Sequence, residues 1–241
     1  MYVHERIPIM LIIDGKRVNK VEKILSTQPF NKLNISLTSQ DLSIVSGDAF
    51  EIRFHGPKDL IPNVKIGDER ATIVGPKKPY RFLLLSVKTG TENFLEVTVP
   101  KQMRLEEVQL QLISGDSKLQ GLSVEELETK SSSGNVFISN CQIEDGEIKT
   151  VSGNCNINRT SFTYLESRLK TGNNDISNCR IKNVGELYTI SGNNSVRKTP
   201  ITKLKYSAID GITRVSDNYE VAQDYDNIFV LETINGNNLI R

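Results

Sequence analysis

Three glutamates, Glu128, Glu147 and Glu166, recur at 19-residue intervals, and each is followed two residues later by a cation, Lys130, Lys149 or Arg168. Carboxylates about 5 Å apart are the pair a retaining glycosidase uses as nucleophile and acid, so this pattern is the first place to look for chemistry. Stacked at the spacing of paired strands, about 4.8 Å, the carboxylates would repel one another. A cation beside each one offsets the repulsion and holds the carboxylate ionised, which is the wrong state for a general acid. The pattern therefore reads as a Glu column beside a Lys/Arg column on a solvated face, each exposed pair contributing about 0–1 kcal/mol. Placing one extra residue just after Val184 extends the acidic column to Glu186.

A second group of polar side chains lies where the 19-residue period fails. Asp210, Asp217, Tyr219, Asp224, Tyr225 and Asp226 crowd one irregular stretch, with Tyr206 just before it. Insertions in repeat proteins map to loops on one face, often the binding face. An acidic, Tyr-bearing loop has the groups to take a sugar or a basic partner, and these six are the candidate binding residues. The alternative is a longer corner whose tyrosines cover the core near the end of the rod.

No metal or cofactor site is expected. A Ca²⁺ turn needs several carboxylates, and the repeated turn here carries mostly neutral Asn. Cys141 and Cys179 share a column two repeats apart, near 10 Å and beyond disulfide reach; Cys155 stands alone. The two histidines, His4 and His55, are far in sequence from every Cys. No phosphate loop, nucleophile elbow or HExxH occurs, and no enzymatic activity is expected.

The element that must position these groups is a short repeat. Ser114-Gly115-Asp116, Ser133-Gly134-Asn135, Ser152-Gly153-Asn154, Thr171-Gly172-Asn173 and Ser191-Gly192-Asn193 are separated by 19, 19, 19 and 20 residues. A fixed period of this size marks a solenoid. Counting each Ser/Thr as position 0, apolar or small residues fill positions +5, +8, +10 and +13. Those offsets suit short strands separated by corners and exclude a helical stripe. The expected fold is all-β, a single-stranded β-helix of about 19–20 residues per coil and about six coils. Gly-Asn supplies each corner, because Gly tolerates positive φ and Asn comes next, and stacked Asn side chains can bond in a ladder. After Ser191 the next triplets read as Ser216-Asp217-Asn218 and Asn235-Gly236-Asn237.

Residues 1–107 read as a strand-rich part merging into the solenoid of residues 108–241. Seven of the eight prolines fall in the first hundred residues, which breaks that part into short strands and loops. Phe50, Ile52 and Phe54 alternate with polar neighbours. Residues 80–87 and 94–99 flank a turn, as antiparallel strands do, and Val21 to Ser26 is left open between strand and short helix. A net charge of +1 gives no general pull toward nucleic acid or anionic membrane, and the longest apolar run, Pro8 to Ile13, is too short to span a bilayer. No secretory pattern opens the chain, so it is expected either in the cytoplasm or with a signal or anchor outside these residues.

The run Leu95-Glu96-Val97-Thr98-Val99-Pro100, then Leu105, Val108-Gln109-Leu110 and Ser114-Gly115-Asp116, resembles the bacterial "putative adhesin" family of unknown function, a β-solenoid with repeated TxSGD turns. Ser46-Gly47-Asp48-Ala49-Phe50-Glu51-Ile52 and Ala71-Thr72-Ile73-Val74 fit its amino-terminal part, and the likeness spans roughly residues 33–240. It implies a non-enzymatic binding, adhesion or envelope-stress module of the cell envelope. Asn replaces most of the family's Asp here. The competing expectations are a cytoplasmic, self-assembling β-helical scaffold and a polysaccharide-acting β-helix enzyme. Candidate partners are a glycan or surface protein, or a second copy through the C-terminal coil near Leu239, Ile240 and Arg241.

Overall fold

The sequence alternates inward apolar and outward polar residues on both sides of each Gly-Asn corner, so each repeat folds as two strands meeting at an angle. The computed structural model describes residues 10–13, 16–76, 93–217, 219, 221, 223 and 226–241. Its strands are β1 (Met10–Ile13), β2 (Lys16–Ser26), β3 (Lys32–Leu37), β4 (Asp41–Gly47), β5 (Glu51–Pro57), β6 (Asn63–Gly67), β7 (Arg70–Val74), β8 (Phe94–Pro100), β9 (Arg104–Ser114) and β10 (Ser117–Gln120). The repeats proper follow as long and short strands in turn: β11 (Ser123–Ser133) and β12 (Val136–Ser139), β13 (Gln142–Ser152) and β14 (Cys155–Asn158), β15 (Ser161–Thr171) and β16 (Asn174–Ser177), β17 (Arg180–Ser191) and β18 (Asn194–Arg197). The last are β19 (Lys203–Asp210), β20 (Thr213–Val215), β21 (Ile228–Asn235) and β22 (Asn238–Ile240). The chain is all-β, a β-solenoid. The segment left open at Val21 to Ser26 is strand, and the proposed strand at residues 80–87 lies outside the described residues.

Two sheets face each other across one core. The first runs β1-β2-β5-β8-β4-β10-β12-β14-β16-β18-β22-β20, and the second β19-β21-β17-β15-β13-β11-β9-β3-β7-β6. Pairing is parallel along the stack; among the described residues only β1–β2, β2–β5, β5–β8 and β6–β7 are antiparallel. Nine coils therefore stack, because β3/β4 and β7/β8 join the rod. Eight spacings of about 4.8 Å make it about 38 Å long, more than the six-coil expectation.

Coil order departs from chain order at both ends. The β7/β8 coil lies outside β3/β4, and β9 then pairs on the other side of β3. At the far end β21 pairs with β17 on one side and β19 on the other, and β22 lies between β18 and β20. Leu239 and Ile240 thus belong to an inner coil, with Ile240 buried. The expectation of an open C-terminal coil is corrected: the open edge is β19/β20. The sixth triplet is also corrected. Asp210 pairs with Asn235, and Gly211 lies against the Gly236 carbonyl. The period therefore continues through Asp210-Gly211-Ile212, 19 residues after Ser191, and the 25-residue break follows it. The extra length is what the chain needs to return past one coil.

The inward columns fill the space between the sheets. Leu119, Ile138, Ile157, Ile176, Val196 and Ile240 are all buried in the short-strand sheet. Opposite them Leu127, Gly146 and Leu165 share a column, and Gly185 rather than Val184 continues it, because the register shifts before Val184. Glu186 still aligns with Glu166. The two glycines make room for rings: a Cβ at Gly146 would come within 2.7 Å of Phe162, and one at Gly185 within 3.0 Å of Phe229. Bulk shifts between neighbouring positions while the core stays filled.

The Gly corner is set by contact as much as by φ. A Cβ at Gly153 would lie 2.0 Å from the Gly134 carbonyl oxygen, and one at Gly172 would lie 1.9 Å from that of Gly153. The following residue locks the stack. The Asp116 side chain accepts from the Asn135 backbone N–H (2.7 Å) and amide, and Asn135, Asn154, Asn173 and Asn193 repeat this for the next coil. Asp41 begins the ladder below Asp116, and Ile212, which offers only its backbone N–H, ends it. A second corner also recurs: Gly121, Asn140, Arg159, Asn178 and Lys198 all have left-handed φ.

Gly172→Ala is expected to lower the unfolding free energy in urea by at least ~2 kcal/mol, since the neighbour it meets is backbone. Gly67→Ala, where nothing lies within 4 Å, should leave it unchanged. Arg159 carries φ 47°; Arg159→Asn should stabilise by roughly 0.5–1 kcal/mol, because Asn tolerates that conformation best among side-chain-bearing residues. Thermal unfolding reads the sign directly.

Candidate functional site

The outward face of the long-strand sheet carries three columns of side chains, fixed by the parallel register. The acidic column is Glu128, Glu147, Glu166 and Glu186, and beside it run Lys130, Lys149, Arg168 and Tyr188. Each cation bonds the glutamate two residues before it on its own strand: Lys130 to Glu128, Lys149 to Glu147, Arg168 to Glu166. Arg168 also reaches Glu186 of the next coil at 3.5 Å and lies over the Tyr188 ring, 5.9 Å from its centroid. The hydrogen bond to Glu147 holds the Lys149 ammonium above its ordinary range, and Glu166 does the same for Arg168. These are exposed or half-exposed ion pairs along one sheet face, each contributing about 0–1 kcal/mol.

The third column, two residues further along each strand, was not legible as a unit in the sequence. Ile113, Ser132, Val151, Lys170 and Ile190 align there, and Ile113, Val151 and Ile190 are exposed. Between this column and the cations runs an open groove of about 730 Å³, lined by Lys130, Lys149, Arg168, Tyr188, Val151 and Ile190 among others. The signal in the sequence was the outward apolar residue just before the Ser/Thr of a triplet, as in Ile113-Ser114 and Ile190-Ser191. It was masked because Ser132 and Lys170 interrupt it.

The irregular stretch is less concentrated than its composition suggested. Asp210 is exposed at the corner after β19, where its carbonyl oxygen accepts from the Gly236 N–H. Asp226 pairs with Lys203 at 2.7 Å, at the opposite end of β19. Seven residues of strand separate the two by about 23 Å. Asp217 is exposed in a turn, and Tyr219 is half-buried against the core. Asp224 and Tyr225 lie outside the described residues.

Cys141, Cys155 and Cys179 are free and buried. The Cys141 and Cys179 thiols donate to the carbonyls of Ser139 and Ser177 (3.2 Å each), the bonds that the Thr160 and Thr199 hydroxyls make from the same column. Burial pushes Cys155 up to about 12 and Cys179 up to about 11. A buried polar ladder went unrecognised in the sequence: Asn174, Asn194 and Asn238 are linked amide to amide at 2.9 Å, and Ser167 donates to Asn174. His55 lies within β5, its ring stacked on Phe94 at 4.3 Å. Among the described residues, no three of His, Cys, Asp and Glu are grouped to hold a metal.

A sequence profile of the family described as Toastrack DUF4097 matches residues 30–226. The chain belongs to the Toastrack DUF4097 family. Its fold is shared by a crystal structure from Bacteroides fragilis named a "putative adhesin", 15% identical with a TM-score of 0.62, covering 92% of this chain and 97% of that one. It is shared also by one from Parabacteroides distasonis named a "putative lipid binding protein", 9% identical with a TM-score of 0.52, covering 92% and 97%. None of the curated proteins matches the chain.

With folded-state values raised by burial, the thiols stay protonated at pH 8. The folded protein should leave all three cysteines unreactive toward an aromatic disulfide reagent, and guanidinium should release the full three equivalents. As pH climbs from about 9 toward 12 the unfolded thiols ionise before the buried ones, so stability falls through that window.

Proposed function

We propose that this chain is a non-enzymatic binding module associated with the cell envelope, and that it docks an extended, anionic and partly apolar ligand along the outer face of its long-strand sheet. The observation that carries the reading is the groove in which Lys149, Arg168 and Tyr188 face Val151 and Ile190. Its cations Lys130, Lys149 and Arg168 repeat at the strand spacing of about 4.8 Å, and the aliphatics Ile113, Val151 and Ile190 line the other side on every second coil. Weak contacts repeated along a rigid row add up when the ligand repeats too. An anionic lipid or an acidic envelope glycan has this chemistry, and the lipid-binding name of the Parabacteroides distasonis structure is in keeping with it. The envelope setting rests on the family resemblance. A second location for binding is the acidic stretch of Asp210, Asp217, Tyr219, Asp224, Tyr225 and Asp226, supported by its composition alone.

The test is binding of the chain to anionic and to neutral phospholipid vesicles, and to an array of acidic and neutral glycans. Anionic probes should be held, and Lys149→Glu with Arg168→Glu should weaken them about tenfold or more, since each reversal leaves Glu147 or Glu166 facing the ligand. Tyr219→Ala should leave binding unchanged. Loss on Tyr219→Ala alone would move the site to the irregular stretch, and no binding to any probe would overturn the reading.

A further inference from the structure

The apolar column that borders the groove continues past it. Register carries Ile190 onto Ile234 of β21, and Ile234 onto Ile209 of β19. Thr189 and Thr233, one residue earlier on their strands, are buried, so alternation turns the isoleucines outward. Ile190 and Ile209 are exposed, Ile209 at 73%. Upstream the column is interrupted at Ser132 and Lys170. From Ile190 to Ile209 nothing polar breaks it, and three isoleucines one strand spacing apart make a strip about 10 Å long.

Charge divides the same face in two. Lys149, Arg168 and Lys170 stand together on β13 and β15, and the exposed Lys170 has no ion-pair partner among the described residues. Beyond Arg168 the cation column stops: Tyr188 follows, then Glu232, then Ser207. A polyanion with a charge on every unit meets Glu232 two coils after Arg168, and like charge repels it there. The ligand that suits the whole face has its charge at one end and hydrocarbon at the other. The strip is one side chain wide, with Glu232 beside it. A bilayer laid over the isoleucines would take that carboxylate out of water as well, at a cost. A single hydrocarbon chain covers the strip and leaves Glu232 wet.

We infer that the groove holds one single-chain anionic lipid at a time, its headgroup among Lys149, Arg168 and Lys170 and its acyl chain along Ile190, Ile234 and Ile209 toward β19. This deepens the binding reading, on which it rests: the ligand is the lipid rather than the glycan, and it lies in one direction. From Lys170 to Ile209 is three strand spacings, about 14 Å, a span that an extended fatty acyl chain covers. Tyr188 stands where charge gives way to hydrocarbon, an apolar ring with a polar tip.

Calorimetry of the full chain with monoalkyl phosphates from butyl to dodecyl, kept below micelle formation, tests this. Affinity should rise about tenfold or more across the series. Ile209→Asp should weaken dodecyl phosphate about tenfold and leave butyl phosphate unchanged, with the circular dichroism of the folded chain retained. Ile113→Asp, at the other end of the same column, should change neither. Lys170→Ala should weaken both esters alike. Affinity independent of chain length overturns the inference, and so does an equal loss from Ile113→Asp. Capture by anionic vesicles with no uptake of monomeric dodecyl phosphate overturns it too, in favour of a bilayer surface. If alkyl phosphates fail while acidic glycans bind, the lipid assignment falls and binding at the groove stands; if no anionic probe binds, both fall.

Discussion

Each coil must sit one strand spacing from its neighbours along its whole outline, and the corner is where that demand is hardest to meet. Along strands, backbone bonding sets the spacing. At the corner the backbone turns, the Gly N–H and the residue after Asn still bond the next coil, and the Asn N–H does not reach a carbonyl, so a side chain on the Gly would hold the coils apart. Gly134, Gly153 and Gly172 remove that side chain, letting each Cα approach the preceding carbonyl. Asp116 and the asparagines after it then supply the one missing bond, each side-chain oxygen accepting from both the backbone N–H and the side-chain amide of the Asn in the next coil. Everything else follows from that closeness: aligned inward columns, flat outer columns, and charges in register.

Register turns point features into lines. A lone Glu beside a Lys is an ordinary surface pair; stacked, it becomes a stripe whose acids need cations within reach, and Arg168 bridges two of them. A lone outward isoleucine means little; stacked with Val151 beside Lys149 and Arg168 it lines a groove. The inside obeys the same rule with stricter terms, since a buried polar atom must find a partner. Asn174, Asn194 and Asn238 satisfy one another because each has an identical neighbour one spacing away. The thiols of Cys141 and Cys179 fit a column otherwise built from threonine by making threonine's bond.

Much of this was legible in the sequence. The period, the Gly-Asn corner, the inward column of Leu119, Ile138 and Ile157, and the paired Glu and Lys/Arg columns all depend on residue type at a fixed offset. What was not legible depends on pairing order or on backbone geometry. Nothing local to β21 says that it enters between β17 and β19, so the stack was read in chain order. Asp210-Gly211-Ile212 was passed over because a coil at the edge has no following coil to bond and so no need of Asn. The second corner escaped notice because its left-handed φ is met by residues as unlike as Gly121, Arg159 and Lys198. The register shift fell one residue earlier than the apolar pattern suggested, because Gly185 is the residue that leaves room for Phe229.

The permuted coils separate the order of synthesis from the order of the stack. β19 and β20 leave the ribosome before β21 and β22, yet among the described residues β19 pairs with β21 and β20 with β22, and neither pairs with an earlier strand. Until residues 228–240 have been made, the preceding coil has no surface to dock on and must wait undocked. The rod therefore cannot be finished by adding coils one at a time as they emerge. Its last two coils close together, as a unit, when the final segment slides into its slot.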